Sequence, residues 1–444
     1  MEQTAGQQTA DIIIGNGTIL TMDTNEGKIA NGALAIVGKN IIAVGTEKEI
    51  ATGYTSKLWI DAHGGIIMPG LVNAHTHIAM SCFRGVADDM ELQTWLDEHI
   101  FPLEAKFVTP ELVYYGSLLG ALEMIKSGTT TFCDMYFFED ETARAAKTIG
   151  IRCLLGEGLL DFPTPNAKNT AEGFAYNRML LEKWREDSLV RICLEPHALY
   201  TCSPQLLIAA KTLADEFGVP LGMHLLENDG EIAILQERLQ ERATSFLARL
   251  GLLDERFFAF HGVRMDEQDR ELFAQRGAKV IHNPQSNMKL ASGMAPCVDM
   301  LKKGVCVGLG TDGAASNNNL NMFAEMSCAA RLGKIREKNA AALPAAQVVH
   351  MATREGARAL SWENEIGSLE VGKRADVIII DTNQPHWTPL YNEYSHLVYA
   401  AAGADVDTVI IDGHLVMHKR EVLTVDEREI IAKVNEIATR IKGS

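Results

Sequence analysis

The sequence has no apolar run approaching the roughly 20 residues that a bilayer span needs, and no excess of basic residues. Its formal net charge is -17 over 444 residues. That balance sets aside nucleic acid and anionic membrane as partners, because like charges repel. It says little about a cleft, whose local sign can differ from that of the whole. Met1 to Ala10 is polar and lacks a basic region followed by an apolar one, so no secretory signal is expected. The eight cysteines form no C-x-x-C pair. Cys133, Cys153, Cys193 and Cys306 sit in apolar strand-like runs, where buried free thiols are expected. A reducing cytoplasm is the expected home. Low-complexity tracts and internal sequence repeats are absent as well.

What is present is a globular composition, 47% apolar and 22% charged, in a chain long enough for one large barrel and a smaller attached domain. Residues 11 to about 62 read as short strands, with Gly38-Lys39-Asn40 as a hairpin turn between two of them. From residue 66 apolar runs of strand length alternate with amphipathic helical segments. The runs end near His77, Asp134, Gly156, His197, His224, His261, His282 and Gly310. Eight such units predict a parallel sheet closed as a TIM-like (β/α)8 barrel. Strands return around Val377–Asp381 and Asp407–Met417, and the tail from Asp426 to Ile441 reads as a helix. The expected organisation is α/β. Residues 1–65 and 366–444 form one discontinuous β-sandwich domain with a terminal helix, and residues 66–365 form the barrel.

Function in such a barrel lies at the carboxyl ends of the strands. His75 and His77 share one face of the first strand end, since side chains alternate. His197, His224, His261 and His282 end later strands, and Asp312 follows the last. One strand-end histidine is usually structural, but a series at equivalent positions points to a metal. The expected ligands are His75, His77, His224 and Asp312, holding one divalent ion per subunit: Zn2+, with Fe2+ or Mn2+ as alternatives. Such an ion lowers the pKa of water from ~15.7 to about 7. Asp312 can take the released proton. Glu227, three residues past His224, is read as a general acid/base, and His261 as a hydrogen-bonding stabiliser of the tetrahedral centre.

Pro69-Gly70-Leu71-Val72-Asn73-Ala74-His75-Thr76-His77, His224-x-x-Glu227, Asn283-Pro284-x-Ser286-Asn287, Gly310-Thr311-Asp312-Gly313 and the Gly367–Asp376 segment resemble the amidohydrolase superfamily. Within it, Trp95-Leu96, Phe101-Pro102-Leu103-Glu104 and Pro196-His197-Ala198-x-Tyr200-Thr201-Cys202-Ser203 resemble the 5-methylthioadenosine/S-adenosylhomocysteine deaminases. That resemblance implies that Glu104 binds the ribose hydroxyls and that His197 lies over the nucleoside or its 5' substituent. It also implies that Glu227 contacts the adenine ring nitrogen and that Asp312 faces the substrate as well as the metal. A carboxylate accepting two hydrogen bonds suits a ribose diol. Trp95 stacks on the purine or simply packs. The family uses substrate-binding arginines in some members; Arg152 and Arg178 are candidates only by neighbourhood.

The implied reaction is hydrolytic deamination at C6 of an adenine nucleoside, and the implied assembly is a dimer or tetramer. The nearest rival is an aminohydrolase or chlorohydrolase of the same superfamily acting on a triazine, pyrimidine or purine base. A non-catalytic relative that keeps the barrel for assembly is the rival from another class. The alternative zinc deaminase plan, H-x-E with P-C-x-x-C, is absent: Pro296-Cys297 lacks the second cysteine.

Overall fold

In the computed structural model, which describes residues 7–91 and 94–442, the parallel strands follow one another in chain order around a barrel. They are Leu71–Thr76, Thr129–Tyr136, Arg152–Leu159, Val190–Ile192 with Glu195–Pro196, Leu221–Leu225, Phe257–His261, Lys279–His282 and Val307–Leu309. The fourth is broken where one continuous strand was expected. Ladders join the first four strands and, separately, the last four. Single bridges, Leu194 to Leu221 and Ala198 to His224, connect the two halves. The last seam closes where Asp312 N donates to His75 O at 2.9 Å. Asn73 spans the same seam, accepting from Thr311 N at 2.9 Å.

Both faces of these strands are buried, which is why they read as near-continuous apolar runs. In Phe257–His261 the period is two: Phe258 and Phe260 join the cluster containing Val72, Leu154 and Ile281, while Phe257 and Ala259 join the larger cluster with the helices. Helix Pro204–Phe217 shows how the connections are set. Ser203 accepts from Leu206 N, Pro204 opens the first turn, and Gly218 ends the helix at φ 69°.

The second sheet draws strands from both ends of the chain. Ile66–Pro69 pairs parallel with Gln8–Leu20 and antiparallel with Val377–Ile380. Ile12, Ile14, Leu34, Ile36, Val377 and Ile379, alternate residues of three strands, meet in one core. The run Ile66 to Met68, expected to lead into the His75 strand, therefore belongs to this sheet. The chain crosses into the barrel at Gly70. A Cβ there would come within 2.0 Å of Thr130 Oγ1, so the crossing requires glycine.

The terminal helix Glu427–Lys442 leaves the sheet and lies along barrel helix Pro110–Lys126. Lys126 meets Glu427 at 2.8 Å and Arg440 meets Glu111 at 2.7 Å. Among the described residues no helix is long and apolar enough to cross a membrane.

Candidate active site

A β-bulge between Asn73 and Thr76 shapes the first strand end. Ala74 stays in the cluster with Phe260, and His75 also turns onto Phe260, its ring stacked at 3.6 Å. Thr76 Oγ1 and Ile78 N both donate to Asp134 Oδ1, at 2.5 and 2.6 Å. That buried carboxylate on the second strand thus clamps the chain on either side of His77. Asp134 went unremarked in the sequence, although it ends a predicted strand as the histidines do.

The histidine nitrogens are sorted by their partners. His77 Nδ1 meets the Met135 carbonyl and His224 Nδ1 meets the His197 carbonyl, so each donates there and turns Nε2 inward with a free lone pair. Both nitrogens of His75 are buried without a hydrogen-bond partner. Its Nε2 lies 3.5 Å from Asp312 Oδ1, and His77 Nε2 lies 3.3 Å from the same oxygen. His75, His77 and His224 place donor atoms within 4.8 Å of one another, as do His75, His261 and Asp312. Orphaned imidazole nitrogens converging on a carboxylate fit a divalent cation of the zinc type.

The supports of Asp312 and His261 come from the short helix Pro284–Lys289. Ser286 Oγ donates to Asp312 Oδ2 at 2.6 Å, and His261 Nδ1 donates to Asn287 Oδ1 at 2.9 Å. Ser286 and Asn287 lay in a recognised motif, but their tasks show only once the helix is folded against the strand ends. His261 and Asp312 have φ values of 69° and 64°, left-handed backbone that non-glycine residues rarely adopt. Such strain concentrates at working sites.

His77, Trp95, Glu104, His197, His224, Glu227, His261 and Asp312 line one cleft, with His75 buried beside them. Trp95 sits in a π-helical turn, Trp95–Ile100, that runs into helix Phe101–Phe107 carrying Glu104. Its indole N–H is committed to Ala87 O at 3.1 Å, leaving the ring for the cleft. Glu227 lies 3.9 Å from His261 Nε2, and burial pushes its carboxyl up. Burial also pushes Glu104 up to about 7 and His197 down to about 3. His282 is buried outside the cleft lining. Neither candidate arginine reaches the site. Arg152 is buried against Asp376 and Asp412, and Arg178 pairs with Glu216. In a further buried donor group, Cys133, Cys193 and Glu195, both thiols donate to Glu195 Oε1 at 3.4 Å, while Glu195 Oε2 is buried without a partner.

Residues 66–416 match the amidohydrolase family. The chain belongs to that family. A relative from Syntrophus aciditrophicus named 5-methylthioadenosine/S-adenosylhomocysteine deaminase 1 is 56% identical over 98% of this chain and 99% of its own. A 5'-deoxyadenosine deaminase from Methanosarcina mazei is 44% identical over 97% of this chain and 98% of its own. Among solved structures, a zinc-bound adenosine deaminase from Xanthomonas campestris superposes with a TM-score of 0.97 at 36% identity. It covers 99% of this chain and 100% of its own, so this amidohydrolase shares both the barrel and the two-ended sheet with it.

Proposed function

We propose that this amidohydrolase deaminates adenine nucleosides at C6. The reading covers 5'-methylthioadenosine to 5'-methylthioinosine and S-adenosylhomocysteine to S-inosylhomocysteine, each with release of ammonia. One observation carries it: a single cleft combines the histidine–carboxylate donor set, a buried acid in Glu227, and a carboxylate, Glu104, suited to a ribose diol. The names of the Syntrophus and Methanosarcina relatives support the substrate class.

In this reading His75, His77, His224 and Asp312 hold one divalent ion. Zinc is favoured by the zinc in the Xanthomonas neighbour, and Fe2+ or Mn2+ would suit the same donors. Bound there, the ion acidifies water from a pKa of ~15.7 to about 7 and so supplies a nucleophile at neutral pH. Glu104 takes the ribose hydroxyls, His197 lies over the nucleoside, and Trp95 covers the purine face. Glu227, kept protonated more readily by burial, gives its proton to the ring nitrogen beside C6 and makes that carbon electrophilic.

Asp312 receives the proton of the attacking water while Ser286 and Gly313 N hold its carboxylate in place. His261, with Nδ1–H on Asn287, accepts a hydrogen bond at Nε2 from that water and then from the hydroxyl forming on C6, which orients it. Asp312 then protonates the amino group, ammonia leaves, and the C6 hydroxyl proton returns to Glu227. Water and nucleoside thus become the inosine derivative and ammonia. The free cysteines, seven of the eight buried, support a reducing cytoplasmic home.

Glu227→Gln tests the assignment. It should keep its metal by elemental analysis and lose about 100-fold or more in kcat for ammonia release. Wild-type turnover would remove Glu227 from the chemistry. Turnover of triazines, with none of 5'-methylthioadenosine, would overturn the substrate class.

A further inference from the structure

The relatives divide over the 5' end of the nucleoside, and the cleft bears on that choice. Beyond its histidines and carboxylates and the hydroxyls of Tyr136, Tyr200 and Ser316, the lining is apolar, with Leu96, Ile100, Phe101, Phe137, Leu160 and Leu290. No lysine or arginine contributes to the lining, and the residues outside the described set include neither. The cations adjoining the lining in sequence are engaged elsewhere. Lys289, next to Leu290, binds Asp88 at 2.5 Å. Arg238 donates to the Leu199 and Tyr200 carbonyls at 3.0 and 2.8 Å. Lys106, near Glu104, is exposed and lies over the Phe107 ring at 5.0 Å.

Ile100 and Phe101 stand four and three residues before Glu104, one helical turn away on the same face. A ribose held by Glu104 therefore brings its 5' carbon toward that turn. Phe101 meets Phe162 edge to face at 6.3 Å and adds a further aromatic surface there.

We propose that the chain selects nucleosides with an uncharged 5' substituent, such as methylthio or hydrogen, over those carrying a homocysteinyl tail. The proposal rests on the deaminase reading above. A methylthio group gains by leaving water for this lining. The carboxylate of an amino-acid tail would lose hydration and find no lysine or arginine in the lining to pair with.

The test is ammonia release by the metal-loaded enzyme from four nucleosides: 5'-deoxyadenosine, 5'-methylthioadenosine, 5'-butylthioadenosine and S-adenosylhomocysteine. The first two should exceed S-adenosylhomocysteine in kcat/KM by about tenfold or more, the scale of one charged hydrogen bond left unmade. Butylthioadenosine, with an uncharged tail, should stay close to methylthioadenosine. Equal or better use of S-adenosylhomocysteine overturns the proposal. A butylthio compound as poor as S-adenosylhomocysteine also overturns it, because length rather than charge would then be selected. Release from none of the four would instead overturn the deaminase reading. Phe101→Arg should raise S-adenosylhomocysteine relative to methylthioadenosine by about tenfold. An unchanged ratio would overturn the placement of the tail at this turn.

Discussion

His261 shows how much one side chain depends on its neighbour. Its Nδ1 proton rests on Asn287 Oδ1 at 2.9 Å, closer than Asn283 Nδ2 at 3.3 Å, and turns Nε2 toward Glu227. Asn287→Ala frees the ring to change tautomer. Kcat should fall about 10- to 100-fold, the scale of losing a partner that orients a site histidine. KM should move little, because Asn287 does not line the cleft. Steady-state rates with wild type alongside check this; a raised KM at unchanged kcat would give Asn287 a binding role. Asp134 acts similarly on the backbone flanking His77.

At the scale of elements, the joint between barrel and terminal sheet runs through one guanidinium. Arg152 opens the third barrel strand, fully buried, and binds Asp376 at 2.8 and 3.0 Å and Asp412 at 3.2 Å. Removing one partner of a buried pair strands the other charge. Arg152→Ala should therefore cost about 3–5 kcal/mol, measurable by urea unfolding. A loss below about 1 kcal/mol would show that solvent reaches the two aspartates. Arg152 was weighed in the sequence as a substrate contact by neighbourhood alone; it opens its strand and so lies at the barrel end away from the strand-end histidines. The strand-end histidines were legible for the opposite reason: the same position recurs after strand upon strand. Ile66 to Met68 was misassigned because an apolar run fixes a strand without naming its sheet. Ser286 and Asn287 gained their tasks only from long-range packing, which no local pattern encodes.

For the whole molecule, buried carboxyls set the response to pH. Burial pushes Glu157 and Glu325 up to about 8, against ordinary values near 4.5. The folded chain therefore holds protons there that the unfolded chain has released. Their contribution to stability is complete below about pH 4.5 and is lost as pH rises through about 8. Between pH 6 and pH 9 each should cost about 2–3 kcal/mol, so the midpoint of thermal unfolding should fall over that range. Glu157→Gln, which cannot ionise, should flatten part of the slope; an unchanged slope would place the titration elsewhere.

The crossing at Gly70 carries a consequence for how the molecule comes into being. Ile66–Pro69, six residues upstream of His75 at its nearest, pairs with Val377–Ile380. On the ribosome that partner is synthesised some 300 residues later, so the run leading into the His75 strand has Gln8–Leu20 beside it early but waits for its second neighbour. A product released after residue 365 would contain every barrel strand yet leave Ile66–Pro69 an open edge. Such a fragment should take up divalent metal poorly and aggregate, as sedimentation with elemental analysis would show. A well-folded metal-bound fragment would mean that the barrel closes without its sheet. An aggregated, metal-poor fragment would mean that the centre assembles only once residues 377–380 are in place.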